Sequence, residues 1–199
     1  SWIVILVKNL RNLARRLTNL PLFMTFVRDL KEPHPFKMMK PDAIFIPGYA
    51  PQGTLIVSQA KDLGIKNTIF FGADGLDDDL MVKNPDAEGL FVTTPFLPDK
   101  AGPRAAGFIK AYREKYGKDP NWFAANTYDA LGMAVAAIEA VGQDRDKIRD
   151  YLASINSKEK AYKGVTGSTY FDENGDCLRD AFVKEIREGK WVSSEKQLQ

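Results

Sequence analysis

The sequence predicts an α/β protein built on a parallel sheet with flanking helices. Three short, nearly continuous apolar runs are separated by stretches with helical apolar spacing, and turn residues stand between them. Strand, helix, strand, short helix, strand is the order that right-handed crossovers in a parallel sheet require.

The first run is Asp42-Ala-Ile-Phe-Ile-Pro47, as expected of a strand buried on both faces. Gly48-Tyr-Ala-Pro51 is a turn. Gln52 to Leu63 then carries Leu55, Ile56, Gln59, Ala60 and Leu63 at helical spacing, with Gly64 as the terminating residue. Thr68-Ile-Phe-Phe71 is a second buried-type strand ended by Gly72. Asp77 or a neighbour caps a short helix over 78–82, and Gly89 to Thr94 is a third strand. Pro95, Pro98 and Pro103 mark an extended crossing. Helices follow over about 102–116, 121–141 and 144–155, and Ala124, Leu131, Val135 and Ile138 give the second an apolar face. Gly167 to Phe171 and Ala181 to Ile186 alternate like paired antiparallel strands around the turn-rich 172–176, and Glu188-Gly-Lys190 makes a further tight turn.

Residues 1–40 have another texture. They hold eight basic side chains (Lys8, Arg11, Arg15, Arg16, Arg28, Lys31, Lys37, Lys40) against two acidic ones, Asp29 and Glu32. Leu6, Leu10, Leu13, Leu17 and Leu20 form one stripe if the segment is helical, and Pro21 ends it. Packing on its own core is the plainer reading of that stripe. A basic amphipathic helix resting on a membrane or partner is the other. Residues 21–40 show no clear period.

Composition bounds the function. Of 199 residues, 44% are hydrophobic and 27% charged, ordinary for a folded domain, and a net charge of +2 gives no argument for nucleic acid. The longest apolar run, Trp2 to Val7, is far short of the roughly 20 residues that span a bilayer. Basic residues follow that run rather than precede it, so it does not read as a secretory signal. Cys177 is the sole cysteine and excludes an internal disulfide. No phosphate loop, metal-ligand spacing or nucleophile–base arrangement is visible, so neither enzyme nor cofactor is expected. Asp77, Asp78 and Asp79 point in different directions at a helix start and suit a cap and dipole role better than a metal. Asp172-Glu-Asn-Gly-Asp176 lacks a calcium loop's terminal Glu and reads as a turn. His34 lies between two prolines with no partner for a triad, and Cys177 is expected to pack beside a turn.

Six strings carry a resemblance in order and spacing. They are Lys40-Pro-Asp-Ala-Ile-Phe-Ile-Pro-Gly-Tyr49, Gln59-Ala-Lys-Asp-Leu-Gly64, Phe71-Gly-Ala-Asp-Gly75 and Ala87-Glu-Gly-Leu-Phe-Val-Thr-Thr94. Thr127-Tyr-Asp-Ala130 and Gly164-Val-Thr-Gly-Ser-Thr-Tyr-Phe-Asp-Glu-Asn-Gly-Asp176 complete the set. Together they resemble the leucine/isoleucine/valine-binding, type I periplasmic solute-binding family of ABC transporters, over residues 40–192. The resemblance implies two α/β lobes that trap a small solute between them and pass it to a membrane permease, in the periplasm or at the cell surface. On this chain, 41–94 and 164–192 would be second-lobe-like, and 95–163 would be helices covering the first lobe. The region before Lys40 does not match, so the architecture reads as an incomplete two-lobe fold, lacking the N-terminal lobe. Helices 102–155 then lack their expected sheet; they pair with another partner, such as a second chain, or stay partly exposed.

The resemblance also points to two ligand residues. Tyr49 and Asp74 follow adjacent strands, where open α/β sheets bind ligands. Asp74 would pair with the α-ammonium of an amino acid, and Tyr49 would offer its hydroxyl or ring face. Read without the family, Asp74 is a loop residue capping the next helix and Tyr49 a packed turn aromatic. A ligand-sensing regulatory domain of the same fold is the competing functional reading, though residues 1–40 show no two-helix pattern with a tight glycine turn. A truncated fragment that binds nothing is another.

Overall fold

The computed structural model describes residues 2–7, 23–27, 41–179, 181–195 and 197. The chain divides into two compact units: residues 1–94 with 183–199, and residues 95–182.

In the first unit the described residues form a seven-stranded sheet. Its strands are β1 (Trp2–Val7), β2 (Phe23–Val27), β3 (Ala43–Ile46), β4 (Ile69–Gly72), β5 (Phe91–Thr94), β9 (Phe182–Arg187) and β10 (Lys190–Ser193). The spatial order is β10-β9-β5-β4-β3-β1-β2. β3, β4 and β5 are parallel, with Ile46 opposite Gly72 and Gly72 opposite Val92. The three predicted strands are therefore the middle of the sheet, but the expected burial on both faces is approached only in β3, whose Ala43, Ile44 and Ile46 are buried; β4 and β5 alternate, with Ile69 and Thr93 exposed.

Helix α1 (Ala50–Asp62) packs on this sheet through Ala50, Gly53, Ile56, Val57 and Ala60. Of the apolar positions read as its face, Leu55 is instead exposed. The helix approaches closely at Gly53, where a Cβ would lie 2.6 Å from Leu76 Cδ2. It ends as predicted at Gly64, whose φ of 71° suits a residue without a side chain. Ile44, Ile46, Val57, Leu76, Met81, Val92 and Ile186 share one core with it. The short helix α2 (Asp79–Val82) is capped by Asp78, whose Oδ1 accepts from Leu80 N at 2.8 Å. At the far end, Glu188 and Gly189 both have positive φ, 53° and 66°, and turn β9 into β10 in two residues. The Glu88 carboxylate accepts from both turn amides, at 2.7 and 3.2 Å.

The second unit contains α3 (Pro103–Tyr116), α4 (Trp122–Val141) and α5 (Arg145–Ala153), each starting and ending within two residues of the predicted bounds. Asn121 and Asp144 cap α4 and α5 by accepting from Ala124 N and Lys147 N, each at 3.0 Å. A small sheet, β6 (Tyr162–Gly164), β7 (Gly167–Phe171) and β8 (Cys177–Leu178), completes the unit. Phe96, Ala105, Ile109, Ala125 and Val165 form its core. On α4, Tyr128, Leu131, Val135 and Ile138 are exposed at three- and four-residue spacing. Of the apolar face predicted for this helix, Leu131, Val135 and Ile138 are thus exposed.

Three sequence expectations are corrected. Gly167–Phe171 pairs with β6 and β8, while the strand beginning at Phe182 runs beside β5 and pairs with β10. The exposed two-residue β8 has no pattern to announce it. Second, Trp2–Val7 is a strand, antiparallel to both β2 and β3, so Leu6 does not begin a helical stripe. Phe23–Val27 is a strand where no period was visible. Leu10, Leu13, Leu17, Leu20 and His34 lie outside the described residues. Third, Cys177 is exposed rather than packed beside the turn. The turn itself forms as expected, with Asp172 Oδ1 accepting from Asn174 N and Asp176 N.

Candidate ligand-binding turns

The parallel register sets the geometry of the first unit's turns. Ile46 and Gly72 are opposite at the carboxyl ends of β3 and β4. Tyr49 lies three residues beyond one, and Asp74 two beyond the other. Tyr49 is the cap residue of α1, extended at φ −106° and ψ 162°, and its carbonyl accepts from Gln52 N and Gly53 N. This backbone role leaves the ring 65% exposed. Asp74, half-buried, opens a 3₁₀ turn over Asp74–Leu76 and accepts on its carbonyl from Asp77 N.

The two turns touch. A Cβ on Gly75 would fall 2.6 Å from Gly48 O and 3.2 Å from Tyr49 Cδ1. Any side chain at position 75 would force the backbones apart, since 2.6 Å is well inside contact distance. Gly75 thereby holds the Asp74 turn against Gly48 and the Tyr49 ring. The helix cap that would have accounted for Asp74 belongs to Asp78.

Asp77 has a different role from its neighbours. It is 2% exposed, and its Oδ1 lies 2.7 Å from Lys184 Nζ, on β9. Thr94 Oγ1 donates to Asp77 Oδ2 at 2.8 Å. The Lys184 ammonium also lies 5.2 Å from the centre of the Trp191 ring. Sequence reasoning grouped Asp77 with the helix-start acids and missed this pair. The available signal was Lys184, a cation in the middle of an alternating strand.

In the second unit, Asp129 is a second buried carboxylate. It accepts from Val165 N at 2.7 Å, Thr166 N at 2.8 Å and Thr166 Oγ1 at 2.6 Å, and so fixes the loop between β6 and β7. Gly164 lies against it, where a Cβ would sit 2.3 Å from its carboxyl carbon. Tyr162 is held above its ordinary pKa, first by burial and then by the Asp129 charge. Among the described residues no group of three or more potential metal ligands occurs, and no helix is long and apolar enough to cross a membrane.

Comparison with known proteins extends this geometry. The profile of the family described as periplasmic binding protein matches residues 34–190. A Leu/Ile/Val-binding protein of Rhizobium johnstonii is 27% identical over 161 residues, covering 80% of this chain and 43% of that protein. The crystal structure of a leucine-binding protein from Thermotoga maritima superposes with a TM-score of 0.73 at 32% identity, over 85% of this chain and 50% of the other. A branched-chain amino acid transporter substrate-binding protein from Streptococcus pneumoniae, solved with isoleucine, gives 0.72 at 29% identity, over 87% and 49%. The chain thus spans about half the length of the relatives it matches.

Proposed function

The chain belongs to the periplasmic binding protein family, and on that premise we propose that it contributes half of a binding site for a small amino acid. The family is one of binding proteins rather than enzymes. The ligand would be branched-chain or similar, delivered to an ABC transporter permease outside the cytoplasm. The observation that carries this reading is the contact between two turns beyond adjacent parallel strands, one bearing a carboxylate and the other an exposed aromatic ring.

The chemistry suits an ammonium group. A cation leaving water needs a countercharge and further acceptors, and Asp74 supplies the first. The Tyr49 ring face attracts the same cation at short range, and its hydroxyl is a further acceptor. Gly75 matters because it lets the turns that carry the two groups come into contact. On this reading, residues 41–94 and 164–192 are second-lobe-like, and residues 95–163 are helices that would cover the first lobe. The ligand carboxylate would then be held by the first lobe. Binding by the 199-residue chain alone is therefore weak, because one face of the ligand stays in water.

Leucine, isoleucine or valine at millimolar concentration is expected to raise the melting temperature of the chain. Asp74→Ala should lower affinity by a hundredfold or more, about 3 kcal/mol, and so remove the shift. Without ligand the variant should still melt cooperatively. An isosteric ligand lacking the amino group should give no shift even with the wild-type chain. Undiminished binding by Asp74→Ala, or equal binding of the deaminated ligand, would overturn the assignment.

A further inference from the structure

The second unit holds a cleft of about 690 Å³ whose lining is strongly one-sided in charge. Lys100, Lys158, Lys163 and Arg179 all line it, and among its described lining residues there is no Asp or Glu. The volume is within the range of small-molecule sites, roughly 300–1,000 Å³. Phe96, Val165 and Phe182 add apolar wall, and the first two are buried. Cations gathered in a concave, partly apolar surface focus their field on whatever enters it.

Two of the cations are held by neutral groups. Lys163 Nζ donates to Ser168 Oγ at 2.9 Å, and Arg179 Nη1 donates to Thr166 Oγ1 at 3.0 Å. Hydroxyl acceptors orient a cation without neutralising it. The Arg179 contact rests on a buried anchor, since Thr166 donates in turn to Asp129 Oδ2, and Asp129 is 2% exposed. The chain Asp129–Thr166–Arg179 thus fixes one guanidinium on the cleft wall. Glu159 lies near Lys158 and Lys163 but does not line the cleft. Its carboxyl is held below its ordinary pKa first by a hydrogen bond with Ser157 and by its own backbone, and less by the two lysines.

We propose that this cleft binds a small organic anion, an acid group carried on a hydrocarbon body, with Arg179 and the three lysines facing the acid. A carboxylate is the natural partner of an oriented guanidinium, and the aromatic walls take up the hydrocarbon. Tyr49 and Asp74 do not line this cleft and belong to the other unit.

Cys177 supplies the reporter, because it is the sole cysteine, is exposed and lines the cleft. The rate of its alkylation by N-ethylmaleimide, a neutral reagent, is measured against added hexanoate, phenylacetate or hexan-1-ol. The two acids should slow the reaction several-fold with a saturable curve, and the alcohol should not. In Lys100→Gln/Lys158→Gln, which changes two exposed side chains, the half-protecting concentration should rise. One unit charge at about 4 Å in water is worth roughly a factor of five, so the double change gives roughly twentyfold. Asp74→Ala should leave the curve where it was, which separates this site from the amino acid site. Absence of protection, equal protection by the alcohol, or an unshifted curve in the double variant would each overturn the proposal.

Discussion

Lys184→Met is expected to cost about 3–5 kcal/mol of folding stability, a large share of the 5–15 kcal/mol typical of a domain. The substitution keeps the length of the stem and removes only the ammonium. Asp77 would then hold a charge at 2% exposure with the Thr94 hydroxyl as its remaining described side-chain partner. One neutral hydrogen bond does not replace a cation at 2.7 Å in a site from which water is excluded. Urea unfolding of the single variant and of Asp77→Leu/Lys184→Met checks the account. The double variant should recover most of the loss, because two apolar side chains replace the buried pair instead of stranding one member. A single-variant cost below about 1 kcal/mol would mean that the pair is better solvated than its burial implies.

Asp129→Ala is expected to destabilise the second unit by about 3 kcal/mol or more. Three donors lose their acceptor at once: Val165 N, Thr166 N and Thr166 Oγ1. Each buried donor left without a partner costs about 1–3 kcal/mol, and the loop can recover only part of that by relaxing toward water. Asp129→Asn should cost less, since the amide oxygen still accepts, although its NH₂ now faces at least one donor. Urea unfolding ranks the two variants. If alanine costs no more than asparagine, the loop is held by something other than the carboxylate. The same measurement bears on the anion cleft, because Thr166 positions Arg179 only while Asp129 holds Thr166.

The middle of the fold was legible because its physics is local. β3, β4 and β5 read as strands from short runs of apolar residues bounded by turns, although β4 and β5 bury only alternate positions. The helices of the second unit keep close to their expected bounds because local groups end them: Asn121 and Asp144 cap two of their starts, and Gly117 at φ 68° follows α3. The turns that carry Tyr49 and Asp74 touch because parallel strands in register bring their following turns together, while the ligand role given to the two residues came from the family resemblance. What stayed hidden depends on distant partners. β9 finds β5 across a whole intervening unit, so its alternation was matched to the nearer β7. Cys177–Leu178 is too short to show a period. Trp2–Val7 is equally compatible with the start of a leucine stripe or with a strand, and only its pairing with β3 decides between them. Asp77 could not be told from Asp78 and Asp79, because a lysine more than 100 positions later defines its role.

The path of the chain also imposes an order of events. β9 must lie beside β5, yet residues 95–182 are synthesised between them. At elongation rates of roughly 5–20 residues per second, the edge of β5 waits several seconds for its neighbour. Closing so long a stretch while it is unfolded carries a large entropic cost. That cost falls once the second unit has formed, because Phe96 and Phe182, near its two ends, line the same cleft. On this account the inserted unit would act as a clasp that brings the start of β9 back toward the end of β5. Pulse-labelled hydrogen exchange during refolding should find the amides of β6 and β7 protected before those of Gly89 and Ile186, which bridge the late seam. Simultaneous protection would mean that the seam forms without waiting for the clasp.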